Sequence, residues 1–420
     1  MAGRDSRGRA ARAIALLAVV VLAVAGFAGS ASATTAQASN VLGTKHPAKG
    51  TPVKVGVISN GKTPGYDQTV EAPVTQASVK WFNEYGNGLG GHPIDLDFCV
   101  DHGEASQSTD CANQLIADKV VAVVLGSQAN LELIWRTLHA AGIPVFLYGA
   151  SNPDVVADKD STFIMTNAFA SLFSLPSGAA KKVKAKKVSI VAIDVPAATS
   201  FFKTTGVQLY RKAGLQLELI PVAAGTADMT PQMQRLKSGN PKGVVFIIGN
   251  DAFCIAALNG LRTAGFQGTI TSIPQCLTDA TRTAVPADFI KGMQIAATAP
   301  IGDAKDASMK QYLAVLKKYG VSGEVDKTNI NGVAVFTALG GFHAATAGLK
   351  GQVTPQSVIA AAKAMDWVVL PGTGGMHFRC NGKADSQQPA VCSKGSLAAK
   401  LNAAGKATSY TLVGDSQIPA

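Results

Sequence analysis

Short apolar runs rich in Val and Ile alternate with longer amphipathic segments from residue 53 onward. That alternation predicts βαβ units, in which helices connect the strands of a parallel sheet. The first block of predicted elements contains strands at 53–59, 94–100, 121–125, 144–147 and 163–165, and helices at 69–85, 106–118 and 131–141. We therefore expect one doubly wound unit before residue 170.

The same alternation restarts after residue 170. It predicts strands at 188–194, 217–222, 244–248 and 269–272, and helices at 171–183, 199–213, 230–238 and 252–264. The run Val244–Ile248 is apolar throughout, which suits a strand covered on both faces. Later helices at 307–319, 329–349 and 354–365 cover one or both units. The predicted fold class is α/β, with two doubly wound Rossmann-like lobes and a ligand cleft between them.

Polar loops follow the predicted strands at 59–66, 126–130, 149–152, 194, 250–251 and 275. In open α/β sheets, ligands collect outside the carboxyl ends of the strands, where helix N-termini present free N–H groups. Gly, Ser and Asn recur in these loops and permit close backbone approach to a ligand. Ordinary turns use the same residue types, so the pattern alone leaves both interpretations open.

The N-terminus predicts export. Four arginines precede an apolar run at 13–28, and Ala31-Ser32-Ala33 matches the A-x-A cleavage pattern of a signal peptide. The run of about 16 residues is shorter than the roughly 20 that a membrane-spanning helix needs. We expect cleavage near Ala33, a flexible lead-in at 34–52, and no lipid anchor, because no cysteine lies near the cleavage site. The mature protein is then periplasmic or secreted.

Removing residues 1–33 takes away four Arg and one Asp and lowers the formal charge from +11 to +8. The densest basic run, at 181–187, has no interleaved aromatic residues on which bases stack, so we expect no nucleic-acid partner. The remaining chain is too long for one core, which predicts two domains.

Six cysteines in an exported chain favour disulfides. Their spacing suggests three local pairs, Cys99–Cys111, Cys254–Cys276 and Cys380–Cys392, although six cysteines formally allow 15 connectivities. There is no C-x-x-C, and the six histidines do not cluster at the spacing of metal ligands. We expect no metal and no cofactor.

Three catalytic or nucleotide-binding patterns fail on context. Residues 56–63 match the P-loop expression, but Gly56, Val57 and Ile58 lie inside a strand, which leaves too short a loop to wrap phosphates, and Pro64-Gly65 favours a turn instead of a helix. Residues 86–91 match G-x-G-x-x-G but follow a helix and precede a strand, the reverse of the dinucleotide fingerprint. No G-x-S-x-G occurs, so Asp101, His102, Ser127 and Ser151 supply residue types without the geometry of a hydrolase. A secreted hydrolase stays the weakest hypothesis.

Four segments share their order and spacing with a known family. They are Val-Lys-Val-Gly-Val at 53–57 before a Gly/Pro-rich loop, Phe-Asn-Glu-Tyr-Gly-Asn-Gly-Leu-Gly-Gly-His-Pro-Ile at 82–94, Val-Ala-Val-Val-Leu-Gly-Ser at 121–127, and Gly-Ile-Pro-Val-Phe at 142–146. Over about residues 53–375 the chain resembles type I periplasmic binding proteins, specifically the branched-chain amino-acid binding subset of ABC transporter substrate-binding proteins. The resemblance implies two lobes joined by crossovers at a hinge, with lobe 1 at 53–167 plus 300–375 and lobe 2 at 168–299 plus 376–412.

The resemblance also implies a ligand site. It assigns Asn130 to a carboxylate contact, Gly149, Ala150 and Ser151 to an amino-acid head group, and Tyr66 to the side-chain pocket. In the second lobe the pattern departs from the family: Gln275 stands where a glutamate holds the ligand ammonium, and Ala198 and Asn250 stand where the family has aromatic residues. A neutral amide pairs poorly with a buried ammonium, so a carboxylate or neutral solute fits at least as well as an amino acid.

The function that follows is an extracytoplasmic solute-binding protein, acting as a monomer with the membrane permease subunits of an ABC transporter. The second hypothesis is a sensory ligand-binding protein that passes a conformational signal to a receptor. Neither function requires chemistry, so we expect no enzymatic activity.

Overall fold

The computed structural model describes residues 41–63 and 67–420, and Val41–Ala420 forms one compact unit. The predicted signal peptide, most of the lead-in and Tyr66 lie outside the described residues. The strands are β1 Val53–Ser59, β2 Ile94–Val100, β3 Val123–Leu125, β4 Val145–Leu147, β5 Thr162–Ile164, β6 Lys187–Ile193, β7 Gln216–Val222, β8 Val244–Ile248, β9 Thr269–Ser272, β10 Gln294–Ala297, β11 Val368–Val369, β12 His377–Phe378, β13 Ser396–Leu401 and β14 Ala407–Val413.

The helices alternate with the strands, as the sequence pattern predicts. They are α1 Glu71–Tyr85, α2 Ala105–Ala117, α3 Leu131–Ala140, α4 Pro153–Ala157, α5 Ala168–Lys182, α6 Pro196–Lys203, α7 Thr205–Lys212, α8 Thr230–Gly239, α9 Asp251–Thr263, α10 Asp279–Ala284, α11 Ala287–Ile290, α12 Ala307–Lys318, α13 Ile330–Ala345 and α14 Pro355–Ala364. Among the described residues, no helix combines the length and the apolar character needed to cross a membrane.

The first sheet has the order β2-β1-β3-β4-β5, with every pair parallel. Alternate strand residues enter opposite cores because side chains along a strand point to opposite faces. Val55 and Val57 contact one core with α1, α12 and α13, whereas Ile58 joins the other core with α2 and α3. Helix α13 is apolar on all sides and almost entirely buried, which is typical of a helix enclosed by a core.

The second sheet repeats that order. Its strands run β7-β6-β8-β9-β10 in parallel, and β13 and β14 then add an antiparallel edge beyond β10. Helices α8 and α9 contribute to one core and α5, α6 and α7 to the other. The α/β fold of two doubly wound lobes is therefore confirmed, and both lobes share one strand order.

The sequence pattern missed several elements of the second lobe. Strands β10 and β13 are rich in Ala (Gln-Ile-Ala-Ala and Ser-Leu-Ala-Ala-Lys-Leu) and contain a single β-branched residue, Ile295, so the composition that marks a strand is weak there. The helix predicted at 199–213 is two helices, because the chain leaves helical geometry at Thr204, where ψ is −101°.

One boundary of the predicted lobes differs from the observed packing. The segment 376–392, which we assigned to lobe 2, packs on the first lobe: Met376, Phe378 and Cys392 belong to its core. An isolated parallel bridge between Ile164 and Val391 holds the end of this segment beside β5. Only from Ser396 onward does the chain join the second sheet.

The six cysteines are paired as Cys99–Cys111, Cys254–Cys276 and Cys380–Cys392, with Cα–Cα distances of 5.8, 5.2 and 4.4 Å. The first joins β2 to α2. The second joins α9 to the 3₁₀ turn Pro274–Cys276 after β9. The third closes the loop of the segment that packs on the first lobe.

Candidate functional site

Each sheet has a point where the strand order reverses, between β1 and β3 in the first lobe and between β6 and β8 in the second. Connections leave such neighbouring strands toward opposite faces, so a crevice opens at their carboxyl ends, and ligands of doubly wound folds bind there. We call these the first crevice, formed by the loops after β1, β3 and β4, and the second crevice, formed by the loops after β6, β8 and β9.

A buried amide and a buried carboxylate organise the first crevice. Asn60 and Asp101 are fully buried, and Asn60 Nδ2 donates hydrogen bonds to Asp101 Oδ1 (2.7 Å) and Gln128 Oε1 (3.0 Å). The backbone N–H of Ala129 donates to Asn60 Oδ1 at 3.0 Å. Asn60 therefore ties the loop after β1 to the loops after β2 and β3. We call this set of hydrogen bonds the first-crevice network.

Asn130 extends the first-crevice network. Its Nδ2 donates to Gly103 O (2.9 Å) and Ser108 Oγ (3.1 Å). Ser108 Oγ donates in turn to Asp101 Oδ2 at 2.7 Å. Both amide hydrogens of Asn130 are thus engaged within the protein, so in this arrangement Asn130 positions the loop. The carboxylate contact expected for its side chain requires one of these bonds to open.

Sequence reasoning missed a second buried carboxyl group beside this network. Glu71, in the first turn of α1, accepts a hydrogen bond from Ser59 Oγ at 2.6 Å and a backbone hydrogen bond from Ser127. Its other oxygen, Oε1, is buried without a hydrogen-bond partner among the described residues. Burial is the main cause that raises the pKa of Glu71 to about 7, against the opposing effect of its hydrogen bonds.

The position of Glu71 explains one glycine of the crevice. A Cβ placed on Gly126 would collide with Glu71 Oε1 and lie 3.4 Å from Val335 Cβ of α13. Glycine at this position lets the loop after β3 pass over the carboxyl group without displacing it. The signal available in the sequence was an acidic residue inside an otherwise apolar first turn, between Val70 and Ala72.

The segment expected to bind the head group follows β4. Gly149 and Ala150 are partly buried and Ser151 is exposed. A hydrogen bond joins the preceding residue, Tyr148, to Thr298 at the end of β10 in the second lobe. Burial raises the pKa of Tyr148 to about 12, so its phenol stays neutral at physiological pH. This segment therefore lies directly beside a contact between the two lobes.

Both residues expected in the second crevice are attached to α9. Asn250 is exposed, and its Oδ1 accepts a hydrogen bond from Phe253 N at 3.0 Å, which caps the helix. Gln275 is exposed and precedes Cys276, whose disulfide partner Cys254 lies in α9. Ala198 is buried, so it does not line the crevice as an aromatic residue at that position would.

The structure thus divides the expected site residues between the two crevices. Asn130 and the segment 149–151 follow the adjacent strands β3 and β4, while Asn250 and Gln275 follow the adjacent strands β8 and β9. These groups are amides, a hydroxyl and backbone N–H groups, all of which can form hydrogen bonds and none of which is charged. Among the described residues, no hydrogen bond joins His102 to Ser127 or Ser151, and no cluster of three potential metal ligands occurs.

Comparison with known proteins agrees with this geometry. A family model described as "Periplasmic binding protein" matches residues 52–391. Comparison with curated proteins gives no significant match. Among solved structures, the isoleucine complex of the branched-chain amino acid binding protein LivJ from Streptococcus pneumoniae is 17% identical, with a TM-score of 0.61 over 86% of this chain and 99% of that chain.

Two further structures share the fold. A solute-binding protein from R. palustris in complex with 4-hydroxybenzoate is 20% identical, with a TM-score of 0.58 over 87% of this chain and 96% of that chain. A putative branched-chain amino acid ABC transporter from Rhodospirillum rubrum is 16% identical, with a TM-score of 0.66 over 86% of this chain and 99% of that chain. The chain belongs to the periplasmic binding protein family, whose members are extracytoplasmic solute-binding proteins.

Proposed function

We propose that this protein is the solute-binding subunit of an ABC uptake transporter, that it captures an organic acid or amide between its two crevices, and that it delivers this solute to a membrane permease. The observation that carries the choice of solute is Gln275, an exposed neutral amide beside the disulfide Cys254–Cys276. An amide donates to a carboxylate or pairs with another amide, but it does not neutralise an ammonium.

Binding in this proposal needs only closure of the two lobes on the solute. Ser151 and the backbone of Gly149 and Ala150 contact the solute from the first lobe, beside the loop after β3 that the first-crevice network and Asn130 hold in place. Asn250 and Gln275 contact it from the second lobe. Tyr66, if it lines the side-chain pocket as the family resemblance implies, adds an aromatic wall.

The remaining parts of the proposal follow from the same picture. Residues 1–33 direct export and are removed near Ala33, and the mature chain acts as a monomer. No bond of the solute is made or broken, so the protein is not an enzyme. The extracytoplasmic location of the family and the three disulfides support this picture.

A thermal-shift screen tests the solute class. Amino acids, aliphatic and aromatic acids, amides and sugars are each added to the mature protein, since a ligand that binds only the folded state raises Tm as its concentration exceeds Kd. We expect acids and amides to stabilise the wild type. Gln275→Glu should lose this response at least tenfold in apparent affinity and gain a response to leucine-like amino acids.

The matched control is Gln234→Glu, an exposed position on α8 away from both crevices. This substitution should leave the change in Tm with each class of solute as it is in the wild type. If leucine-like amino acids alone stabilise the wild type, the role given to Gln275 is wrong, although a solute-binding function stands.

A further inference from the structure

A cavity of about 290 Å³ lies on one flank of the second lobe, between helices α5 to α7 and the segment 385–394. It is lined by none of the loops that form the two crevices. Asn167 precedes α5 and Lys394 precedes β13, and both line the cavity. At each of these residues the chain passes from the first lobe to the second, so the cavity lies beside two of the connections between the lobes. We call it the hinge cavity.

Three phenylalanines form the apolar wall of the hinge cavity. The rings of Phe169 and Phe201 are stacked, with centroids 4.9 Å apart and planes 9° apart. Phe173 meets Tyr210 edge-on, with centroids 5.2 Å apart. Phe169 and Phe173 are only partly buried and line the cavity, so their rings offer an aromatic surface. Aromatic surfaces of this kind pack best against another flat ring.

Two buried amides face the same cavity. Asn167 is 8% exposed and Gln388 is 6% exposed, and both line it. Asn167 Oδ1 accepts hydrogen bonds from Phe169 N (3.0 Å) and Ala170 N (2.9 Å), which leaves its Nδ2 without a partner among the described residues. The side chain of Gln388 likewise makes no hydrogen bond within the described chain. The amide atoms of these two residues are not among the fully enclosed polar atoms that lack a partner, so they stay accessible and can hydrogen-bond an occupant of the cavity that has polar atoms.

The charges at the cavity favour an anion. Lys212 and Lys394 line it together with one carboxylate, Asp385. Lys394 Nζ donates to Gln417 O at 3.3 Å, and Lys212 is exposed at the end of α7. Asp385 Oδ1 accepts a hydrogen bond from Gln387 N at 2.9 Å. The balance of two cations against one anion leaves one positive charge to be neutralised.

We propose that the hinge cavity is a second ligand site, separate from the two crevices, that binds a small monocyclic aromatic carboxylate. The ring packs against Phe169 and Phe173, and the carboxylate accepts hydrogen bonds from Lys394, Asn167 and Gln388. The volume of about 290 Å³ lies just below the roughly 300–1,000 Å³ of ligand pockets, which limits the occupant to one ring. Because both lobes contribute to the walls, such a ligand binds one arrangement of the lobes better than others and couples to solute binding.

Isothermal titration of the mature protein with benzoate tests this proposal without depending on the proposed function. All titrations use a protein that carries Gln275→Ala. This substitution weakens binding at the second crevice, so that crevice contributes less to the measured binding of benzoate. We expect benzoate to bind this variant, and we expect Lys394→Met and Gln388→Leu, each added to it, to weaken binding at least tenfold. Lys212→Met, at an exposed position that does not threaten folding, should weaken binding by a smaller factor of about two to five.

Two probes and one variant serve as controls. Benzamide lacks the charge and cyclohexanecarboxylate lacks the aromatic ring, and both should bind at least tenfold more weakly than benzoate. Lys291→Met removes an exposed lysine elsewhere on the second lobe and should leave benzoate binding unchanged. The proposal is overturned if the Gln275→Ala protein does not bind benzoate, or if it binds benzamide as tightly as benzoate. It is also overturned if adding Lys394→Met and adding Lys212→Met to that protein each leave its affinity for benzoate unchanged.

Discussion

The two crevices share one strand order but are held together by different means. In the first, loops from three strands are joined by the buried hydrogen bonds of Asn60, Asp101 and Gln128. In the second, the loop carrying Gln275 is attached to α9 by the disulfide Cys254–Cys276, and Asn250 caps the same helix. Two lobes with the same strand order therefore hold their crevice loops in place by different interactions.

The difference makes each crevice vulnerable to a different change. A buried polar network is stable only when every member has its partners, so one substitution affects several loops at once. A disulfide acts largely by restricting the unfolded chain and is lost by reduction. The first crevice should therefore respond to substitution and pH, and the second to redox conditions.

The largest expected effect is at Asp101. Asp101→Ala removes the acceptor of Asn60 Nδ2, Ser108 Oγ and the backbone N–H of Gly103. Leaving these buried donors unpaired should lower the free energy of unfolding by about 3–5 kcal/mol. Urea denaturation measures the loss. The control Asp110→Ala removes an exposed acid on α2 and should cost less than about 0.5 kcal/mol. Equal stability of the two variants would contradict the organising role of the network.

The next effect is at the disulfide of the second crevice. Cys254→Ser with Cys276→Ser opens a loop with a sequence separation of 22. The chain-entropy account predicts a loss of about 3 kcal/mol. Because the disulfide holds the residue next to Gln275, affinity for the solute should fall as well. The matched control Cys380→Ser with Cys392→Ser, in a loop that belongs to neither crevice, should lower stability but leave solute affinity within about twofold. An effect of the control on affinity as large as that of the first pair would show that the loss is not local.

How far the sequence predicts these features depends on how local they are. Central strands such as β1, β6 and β8 follow from apolar runs, because burial on both faces imposes that composition. Strands β10 and β13 are Ala-rich and gave no such signal, whereas β14 contains Thr, Tyr and Val but is largely exposed and forms no apolar run.

The same distinction applies to the site. Asn130, Asn250 and Gln275 were found because they follow strands, where polar residues stand out. Glu71 was missed because an acidic residue in the first turn of a helix is normally an exposed partner of the helix dipole. Only the packing of α13 over the first sheet buries it, and that contact joins residues far apart in the sequence.

The smallest of the three effects, also at the first crevice, is the pH dependence that Glu71 creates. Its pKa is about 7 in the folded protein against an ordinary 4.5, so the folded state holds a proton that the unfolded state releases between these values. The contribution of Glu71 to the free energy of unfolding is fully present below pH 4.5 and is lost as the pH rises through 7. Of the charged groups in the described part of the chain, Asp101 acts on this carboxyl and raises its pKa further, while Ser59, Ser127, Gly126 and Val335 around it are uncharged.

Glu71→Gln removes that titration, because an amide stays neutral at every pH. Between pH 5 and pH 8 the wild type should lose about 2–3 kcal/mol that the variant keeps, so the stability of Glu71→Gln relative to wild type rises with pH. Urea denaturation at several pH values measures the difference. Glu324→Gln, at an exposed position, should show no such trend. A difference between Glu71→Gln and wild type that stays constant from pH 5 to pH 8 would mean that Glu71 is already ionised when folded, and that the loop after β3 rests on a charged, not a neutral, carboxyl group.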